Sequence, residues 1–375
     1  MNFIFFLKKP SLELVNQFFR FFNLKLFVLP AYISVLFTYP ANSQQKSDSL
    51  FQKNDANKYI LRYDSVISVR INANSEIDFF EIKGEGFHYD IRPNISISNK
   101  ISVHYRFISL GVSFTPNYLP GNNDNDLQGE TKTFSMGLEL HPKNWIQELK
   151  YTRIKGFYLY NTREYNPKWS SGKDPYITFP DLSVQYFRGS TGYKFNPNFS
   201  LSAISSLTER QIKSAGSFIP ILNYDYHKID NKTGNPLQQT SQTTNNFSLI
   251  ASFGYIYTLV LSSKFYASAG IFPGGGFQYT HLLTHQYNED FKTNYTDPVF
   301  RLAEKAAIGY NSKKFFTGAE ISLSQASHVQ NNSSVQTSAT RAYFQVFLGY
   351  RFNAPSFIKR ETDLIKKHSF GIIKE

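Results

Sequence analysis

Residues 247–261 read Phe-Ser-Leu-Ile-Ala-Ser-Phe-Gly-Tyr-Ile-Tyr-Thr-Leu-Val-Leu. Phe247, Leu249, Ala251, Phe253, Tyr255, Tyr257, Leu259 and Leu261 alternate strictly, with Ser248, Ser252, Gly254 and Thr258 among the residues between. A strand turns successive side chains to opposite faces, so this set forms one apolar face; a helix would scatter it around its circumference. The run is also longer than the five or six residues usual in a soluble sheet, and suits a tilted crossing of a hydrocarbon layer.

The pattern recurs in both directions. Ala342, Phe344, Val346, Leu348, Tyr350 and Phe352 alternate with Arg341, Tyr343, Gln345, Phe347, Gly349 and Arg351. Shorter versions stand at Phe134/Met136/Leu138/Leu140, Phe199/Leu201/Ala203, Phe265/Ala267/Ala269/Ile271 and Phe315/Thr317/Ala319/Ile321/Leu323. Over residues 59–116 the runs Ile77/Phe79, Phe87/Tyr89/Ile91, Ile101/Val103/Tyr105/Phe107 and Ile108/Leu110/Val112/Phe114 are brief, and several pairings fit them. One strand departs from the rule: Phe300, Leu302, Glu304, Ala306, Ile308 and Tyr310 put a carboxylate on the apolar face.

Tight polar turns (Asn196-Pro197-Asn198, Ser262-Ser263-Lys264, Asn311-Ser312-Lys313, His141 to Asn144) alternate with long polar stretches. The latter run from Asn117 to Glu130, Asn161 to Thr178, Lys228 to Asn245, Thr284 to Asp297 and Ser327 to Ser338. Short turns on one side and long loops on the other predict an all-β, transmembrane, antiparallel up-and-down β-barrel of about 12 strands (range about 10–14), the long loops extracellular and the short turns periplasmic. Closure also removes the sheet edges, whose unpaired backbone groups would each cost several kcal/mol in hydrocarbon. A soluble sandwich would alternate too, but has no need of such long strands with aromatics near their ends.

Composition agrees. Of 375 residues 63 are aromatic, and the charged share is 18%, against roughly 25% in soluble chains. Beyond the N-terminus no apolar run is long enough for a spanning helix. With no cysteine there is no disulfide framework, thiolate metal site or Cys nucleophile. The net charge of +12 is scattered, without a basic helix or RNP-like pattern, so it suits outer-membrane lipids and lipopolysaccharide better than nucleic acid.

Lys8, Lys9, Arg20 and Lys25 precede the apolar stretch Leu26–Phe37, and Ala41-Asn42-Ser43 offers small residues at a cleavage site. This is the layout of a cleaved signal peptide, here over residues 1–43. The expected organisation is completed by a polar periplasmic lead-in (44–58), a barrel domain (59–355) and a basic C-terminal tail (356–375) with Lys359, Arg360, Lys366, Lys367 and Lys374. The tail is read as a disordered extension, with contact to a periplasmic partner as the sharper alternative.

The most distinctive stretch is Glu209-Arg210-Gln211-Ile212-Lys213-Ser214-Ala215-Gly216-Ser217. It resembles an uncharacterised family of Gram-negative outer-membrane barrel-like proteins, a domain of unknown function, in which a similar E-R-Q-x-K-S-A-G-S segment follows a strand. Further landmarks fit in order: Tyr89 to Asn94, Lys155 to Tyr158, Pro180-Asp181-Leu182, Tyr193 to Asn196, Pro273 to Gly276 and Gly349 to Phe352. At Phe107 the resemblance leads one to expect Trp. It covers residues 59–355, implies the barrel and an outer-membrane location, and brings no activity.

If the Glu209 segment is extended, Glu209, Gln211 and Lys213 share a face. A cation facing mid-bilayer lipid costs roughly 2 to 4 kcal/mol, so this density of charge, with Arg210, predicts a polar network in the lumen. Arg341, Arg351 and Glu320 are candidates to join it. A salt-bridged plug that fixes barrel shape is favoured over a substrate site. His281 and His285, with Glu289, have the spacing of a zinc pair on a helix, but the HExxH glutamate is missing and the segment leaves a strand for a loop. They are read as rim residues, and no metal or other cofactor is expected. His104, His227, His281 and His328 leave a rim hydrolase open, though no spacing singles out a triad. Pro273-Gly274-Gly275-Gly276 is read as a strand kink or bend where backbones approach closely. The expectation is a monomeric, non-enzymatic envelope protein with a structural or accessory role; a narrow channel for small solutes or lipids, and a lipid-modifying enzyme, are the alternatives.

Overall fold

The computed structural model describes residues 59–84, 87–95, 97–116, 118–119, 122–231, 241–285, 290–329 and 336–368. The expected signal peptide and lead-in fall outside them. The strands in chain order are β1 (Ile60–Arg62), β2 (Val66–Gly84), β3 (Phe87–Arg92), β4 (Ser98–Tyr105), β5 (Ile108–Phe114), β6 (Lys132–Leu140), β7 (Trp145–Leu159) and β8 (Thr178–Tyr193). They continue as β9 (Glu209–Gln211), β10 (Ala215–Asn231), β11 (Ser241–Val260), β12 (Phe265–His285), β13 (Asp290–Asn311), β14 (Phe315–Val329) and β15 (Gln336–Asn353). Two single-turn helices, α1 (Asn125–Gln128) and α2 (Thr162–Tyr165), lie between strands, and α3 (Ser356–His368) follows β15. No described helix is long and apolar enough to cross a membrane.

Every pairing is antiparallel, and β15 closes on β2 from Asn353↔Val66 to Gln336↔Lys83. The wall is a closed ring of 12 strands: β2, β4 to β8 and β10 to β15. The 247–261 run holds its predicted face, with Phe253, Tyr255, Tyr257, Leu259 and Leu261 pointing out and Ile250, Ser252, Ile256 and Thr258 buried inside. Both chain ends of the wall, Val66 and Asn353, meet at the periplasmic rim. There outward aromatics make a girdle: Trp145 against Tyr193 (5.2 Å between rings), Phe265 against Tyr310 (5.0 Å) and Tyr350 against Phe352 (5.0 Å). Such rings sit at headgroup level, apolar body toward lipid and polar edge toward water.

The ambiguous residues 59–116 form a fork. The lower half of β2 pairs with β4 (Ser68↔His104 to Asn74↔Ser98), while its upper end pairs with β3 (Phe80↔Ile91 to Gly84↔Phe87). β3 in turn reaches β7 at Ile91↔Leu159. Thus β3 bridges β2 and β7 above, and the short meander β4–β5–β6 bridges them below. Its seam is closed by buried carboxamides: Asn122 Nδ2 donates to the carbonyls of Ile97 (2.7 Å) and Pro116 (2.9 Å), and Asn94 Nδ2 to that of Gly129 (2.8 Å). A bulge in β7 falls at Gly156, whose φ is 90° and where a Cβ would stand 2.0 Å from the Glu130 carbonyl oxygen. Only glycine fits.

Five expectations change. Residues 199–203 are turns and not a strand, because they fold into the barrel mouth instead of its wall. The brief run through Phe107 breaks at a hairpin turn, Arg106 at φ 50° and Phe107, with Tyr105 paired to Ile108. Of the loops expected over 228–245, 284–297 and 327–338, the described residues are strand, since β10 to β15 keep pairing beyond the apolar band, and 232–240, 286–289 and 330–335 lie outside the described residues. Pro273 to Gly276 causes no break: β12 runs through it in one register with β13. A Cβ at Gly276 would come within 1.9 Å of the Leu249 carbonyl oxygen, so glycine serves close strand approach there. The start of the tail is α3, not a disordered extension; Asp363 bonds Arg106 of the β4–β5 turn at 2.5 Å and ties the helix to the rim.

Candidate functional site

Between β8 and β10, where a short turn was expected, residues 194–214 fold into the periplasmic mouth. β9 forms a separate two-stranded sheet with β1 (Ile60↔Gln211 to Arg62↔Glu209). Phe199 and Leu207 are 0% exposed, and with Ile204 they pack on inward side chains from around the wall: Ile146, Ile219, Ile256, Phe272, Phe316 and Phe347. A hydrophobic core therefore forms in a lumen that the alternation marks as the polar side. It does so because the segment brings its own apolar residues to meet these.

Polar groups anchor this plug. Arg351 of β15 donates to the carbonyls of Leu207 and Ser312 and to Asn311 Oδ1 (2.8 Å), and its guanidinium lies 4.0 Å from the Tyr63 ring centre and 4.6 Å from that of Phe316. Arg70 of β2 donates to the Ser205 carbonyl. Asn311 Nδ2 donates to the Glu209 carbonyl at 3.0 Å, and Lys194 Nζ to that of Phe199 at 2.5 Å. Tyr63, 1% exposed, donates its amide to Thr208. Burial pushes the Lys194 ammonium below the ordinary lysine range, only partly opposed by the Glu209 carboxylate, and pushes the Tyr63 phenol up against the pull of Arg351.

The residues expected to form a lumen network are placed as follows. Glu209 pairs with Arg62 at 3.2 Å and accepts from Ser200 Oγ at 2.5 Å. Gln211 braces the turn, accepting from the Ser200 amide (2.9 Å) and donating to the carbonyls of Asn198 (2.7 Å) and Lys213 (2.9 Å). Arg210 reaches the Asn311 carbonyl at 3.5 Å. Lys213 departs from the shared face: extension stops at Gln211, and its exposed side chain lies over the Tyr59 ring at 5.4 Å. Glu320 and Arg341 are in the lumen wall but away from the plug. Glu320 accepts from Gln345 Nε2 at 2.5 Å; Gln345 is also bonded by Tyr343 and Asn72. Arg341 lies well above them on β15, opposite Ser324. The residues sequence reasoning missed are Arg70, Lys194, Asn311 and Tyr63. Nothing in the strand pattern marks them: Arg70, Asn311 and Tyr63 act on groups distant in the chain, and Lys194 on the Phe199 carbonyl, which comes into reach only because the segment turns into the mouth.

Above the plug the lumen is polar. Beside the β4–β6 meander lies a cavity of about 150 Å³, lined among others by Lys100, Glu139, Glu148, Lys150, Ser135 and Thr152. Lys100 and Glu139 are 3.9 Å apart, a loose pair. Lys305, inward on β13, lies in the field of Glu148, Glu320 and Glu139. Ser102 Oγ and His104 Nε2 share a 2.9 Å hydrogen bond, but both residues are buried in the wall and His104 Nδ1 has no partner. That pair packs; it does not present a nucleophile. His281 points outward and meets Asn294 at 2.5 Å, while His285 ends β12 opposite Asp290. No group of three potential metal-binding side chains occurs among the described residues.

Solved structures to which this chain is similar include three outer-membrane or translocator proteins. The outer membrane protease OmpT of Escherichia coli is 7% identical, with 78% of this chain and 98% of that one covered and a TM-score of 0.36. The translocator domain of autotransporter NalP from Neisseria meningitidis is 14% identical, with 76% and 88% covered and a TM-score of 0.37. OmpT of Vibrio cholerae, another outer membrane protein, is 9% identical over 78% and 99%, at 0.30. No curated protein matches. The family profile described as domain of unknown function (DUF4421) matches residues 47–352, so this outer-membrane β-barrel belongs to that family.

Proposed function

We propose that this protein is a non-enzymatic barrel with a structural or accessory role in the envelope, held shut at its periplasmic mouth. The observation that carries the reading is the packed plug, with Phe199, Leu207 and Tyr63 buried and Arg351 and Arg70 bonded to its carbonyls. A lumen sealed by a hydrophobic core of this kind excludes water and solute. Its apolar outer face and net charge suit outer-membrane lipids and lipopolysaccharide as surroundings, and α3, with Lys359, Arg360 and Lys367, faces the periplasm as a contact for a partner there.

The test is conductance in planar bilayers. Wild-type protein is expected to give no steps, and a variant with residues 199–208 replaced by a short Gly/Ser linker is expected to conduct. Regular steps from the wild type would replace this reading with the channel, which the charged cavity above the plug favours as second choice. If the lumen conducts, charge reversal at Lys100 or Glu148 would change its ion selectivity.

A further inference from the structure

The register places Glu304 on the outside of the barrel. β13 turns Asp297, Val299, Arg301, Lys305 and Asn311 inward and Phe300, Leu302, Glu304, Ala306, Ile308 and Tyr310 outward. Glu304 stands between Ile271 of β12 and Leu323 of β14. Strand rise and tilt give roughly 2.5 Å of height per residue, so Glu304 lies about 15 Å above the girdle residue Tyr310 in an apolar band about 25 Å tall. That is mid-bilayer. Diagonally beside it, Gln325 of β14 also points out, opposite Leu302. Both side chains are exposed, and neither has a hydrogen-bond partner among the described residues, not even each other. Hydrocarbon supplies no partner for either.

Small residues lie among the larger ones around Glu304. Ala269 faces Ala306, Ala267 faces Ile308, Ala319 flanks Ile308 from the other side, and Gly275 faces Phe300. Small side chains let another backbone approach closely.

We propose that this face, β12–β13–β14 around Glu304, is the contact between two copies of this chain in the outer membrane. A carboxylate acceptor next to a carboxamide donor is the smallest set that is complementary to itself: under a two-fold axis along the membrane normal, Glu304 of each copy accepts from Gln325 of the other. Two separate barrels leave four polar side chains in lipid without a partner; the pair gives each of the four one. A basic partner protein would satisfy Glu304 alone.

The chain has no cysteine, so single-cysteine variants test this cleanly. Ala306→Cys, oxidised in intact outer membranes, is expected to give a band at twice the monomer mass. Leu110→Cys on the opposite wall is expected to give none. Adding Glu304→Leu to Ala306→Cys is expected to reduce the dimer at least tenfold, whereas Glu304→Gln, which still bonds, retains it. Heat-modifiable gel mobility checks that every variant is a folded barrel. No dimer from a folded Ala306→Cys barrel overturns the proposal and leaves the monomer expected from sequence. An adduct of another mass, equal dimer at Leu110→Cys, or full dimer with Glu304→Leu overturns it too.

Discussion

The lower and middle lumen are built from the same inward half of the same alternating strands, yet they are opposite environments. At the periplasmic mouth Ile219, Ile256, Phe272, Phe316 and Phe347 enclose Phe199 and Leu207 in a dry core. Higher up, Lys100, Glu139, Glu148 and Lys150 line open space, and Lys100 and Glu139 stand 3.9 Å apart. Arginine differs between the two levels as well. Arg351 and Arg70 bond carbonyls of the plug, whereas Arg301 bonds a wall serine, Ser324, at 3.0 Å. An inward face is therefore not polar because it is inward: what fills the barrel decides.

Breaking the lower region should have the largest effect. Replacing 199–208 by a linker should take conductance from none to large steps. Arg351→Ala should be next, because it strands three acceptors in a buried site. A loss of about 3 kcal/mol in equilibrium unfolding from lipid is expected, with intermittent conductance. Glu209→Ala removes the Arg62 pair and the Ser200 bond at a half-buried position, so about 1 kcal/mol and a lower heat-modification temperature are expected. Unchanged mobility on heating would sink the view that Glu209 stiffens the plug.

Substitutions in the middle region sharpen the contrast. Glu148→Gln or Lys100→Met should shift stability by under about 1 kcal/mol, since charges as far apart as the 3.9 Å Lys100–Glu139 pair beside a cavity contribute little. An effect as large as that of Arg351→Ala would erase the distinction between the levels. The smallest effect concerns pH. Lys194 binds its proton less tightly folded than unfolded, so plug stability should rise as pH climbs through its depressed value toward 10.5. Tyr63 ionises less readily when folded, so stability should fall again above its ordinary value of 10.0. Lys194→Met should abolish the rise, and Tyr63→Phe the fall, measured by unfolding across pH 8 to 11.

The Glu209–Ser217 segment shows how far a candidate site can be read from residue order. Its charge density led to the expectation of a lumen network, and the structure places Glu209, Arg210, Gln211 and Arg351 near one another at the mouth. Lys213 and Glu320 do not join. Shared face was inferred for Lys213 from continued extension, but the chain turns after Gln211; Glu320 has the right face at the wrong height. The strand expected at Phe199 failed for a related reason: alternating apolar residues satisfy a lipid-facing strand and a plug core alike.

By itself the sequence determined the barrel, its closed antiparallel order, its inward and outward faces and the outward place of Glu304, because strand periodicity is local and hydrocarbon tolerates strands only in a closed ring. Tertiary structure alone decided the fork at β3, the plug and its arginine anchors, because these depend on which surfaces lie opposite one another across the lumen. No period in the chain records a contact such as Arg351 with Leu207, which joins the last strand to a turn far upstream.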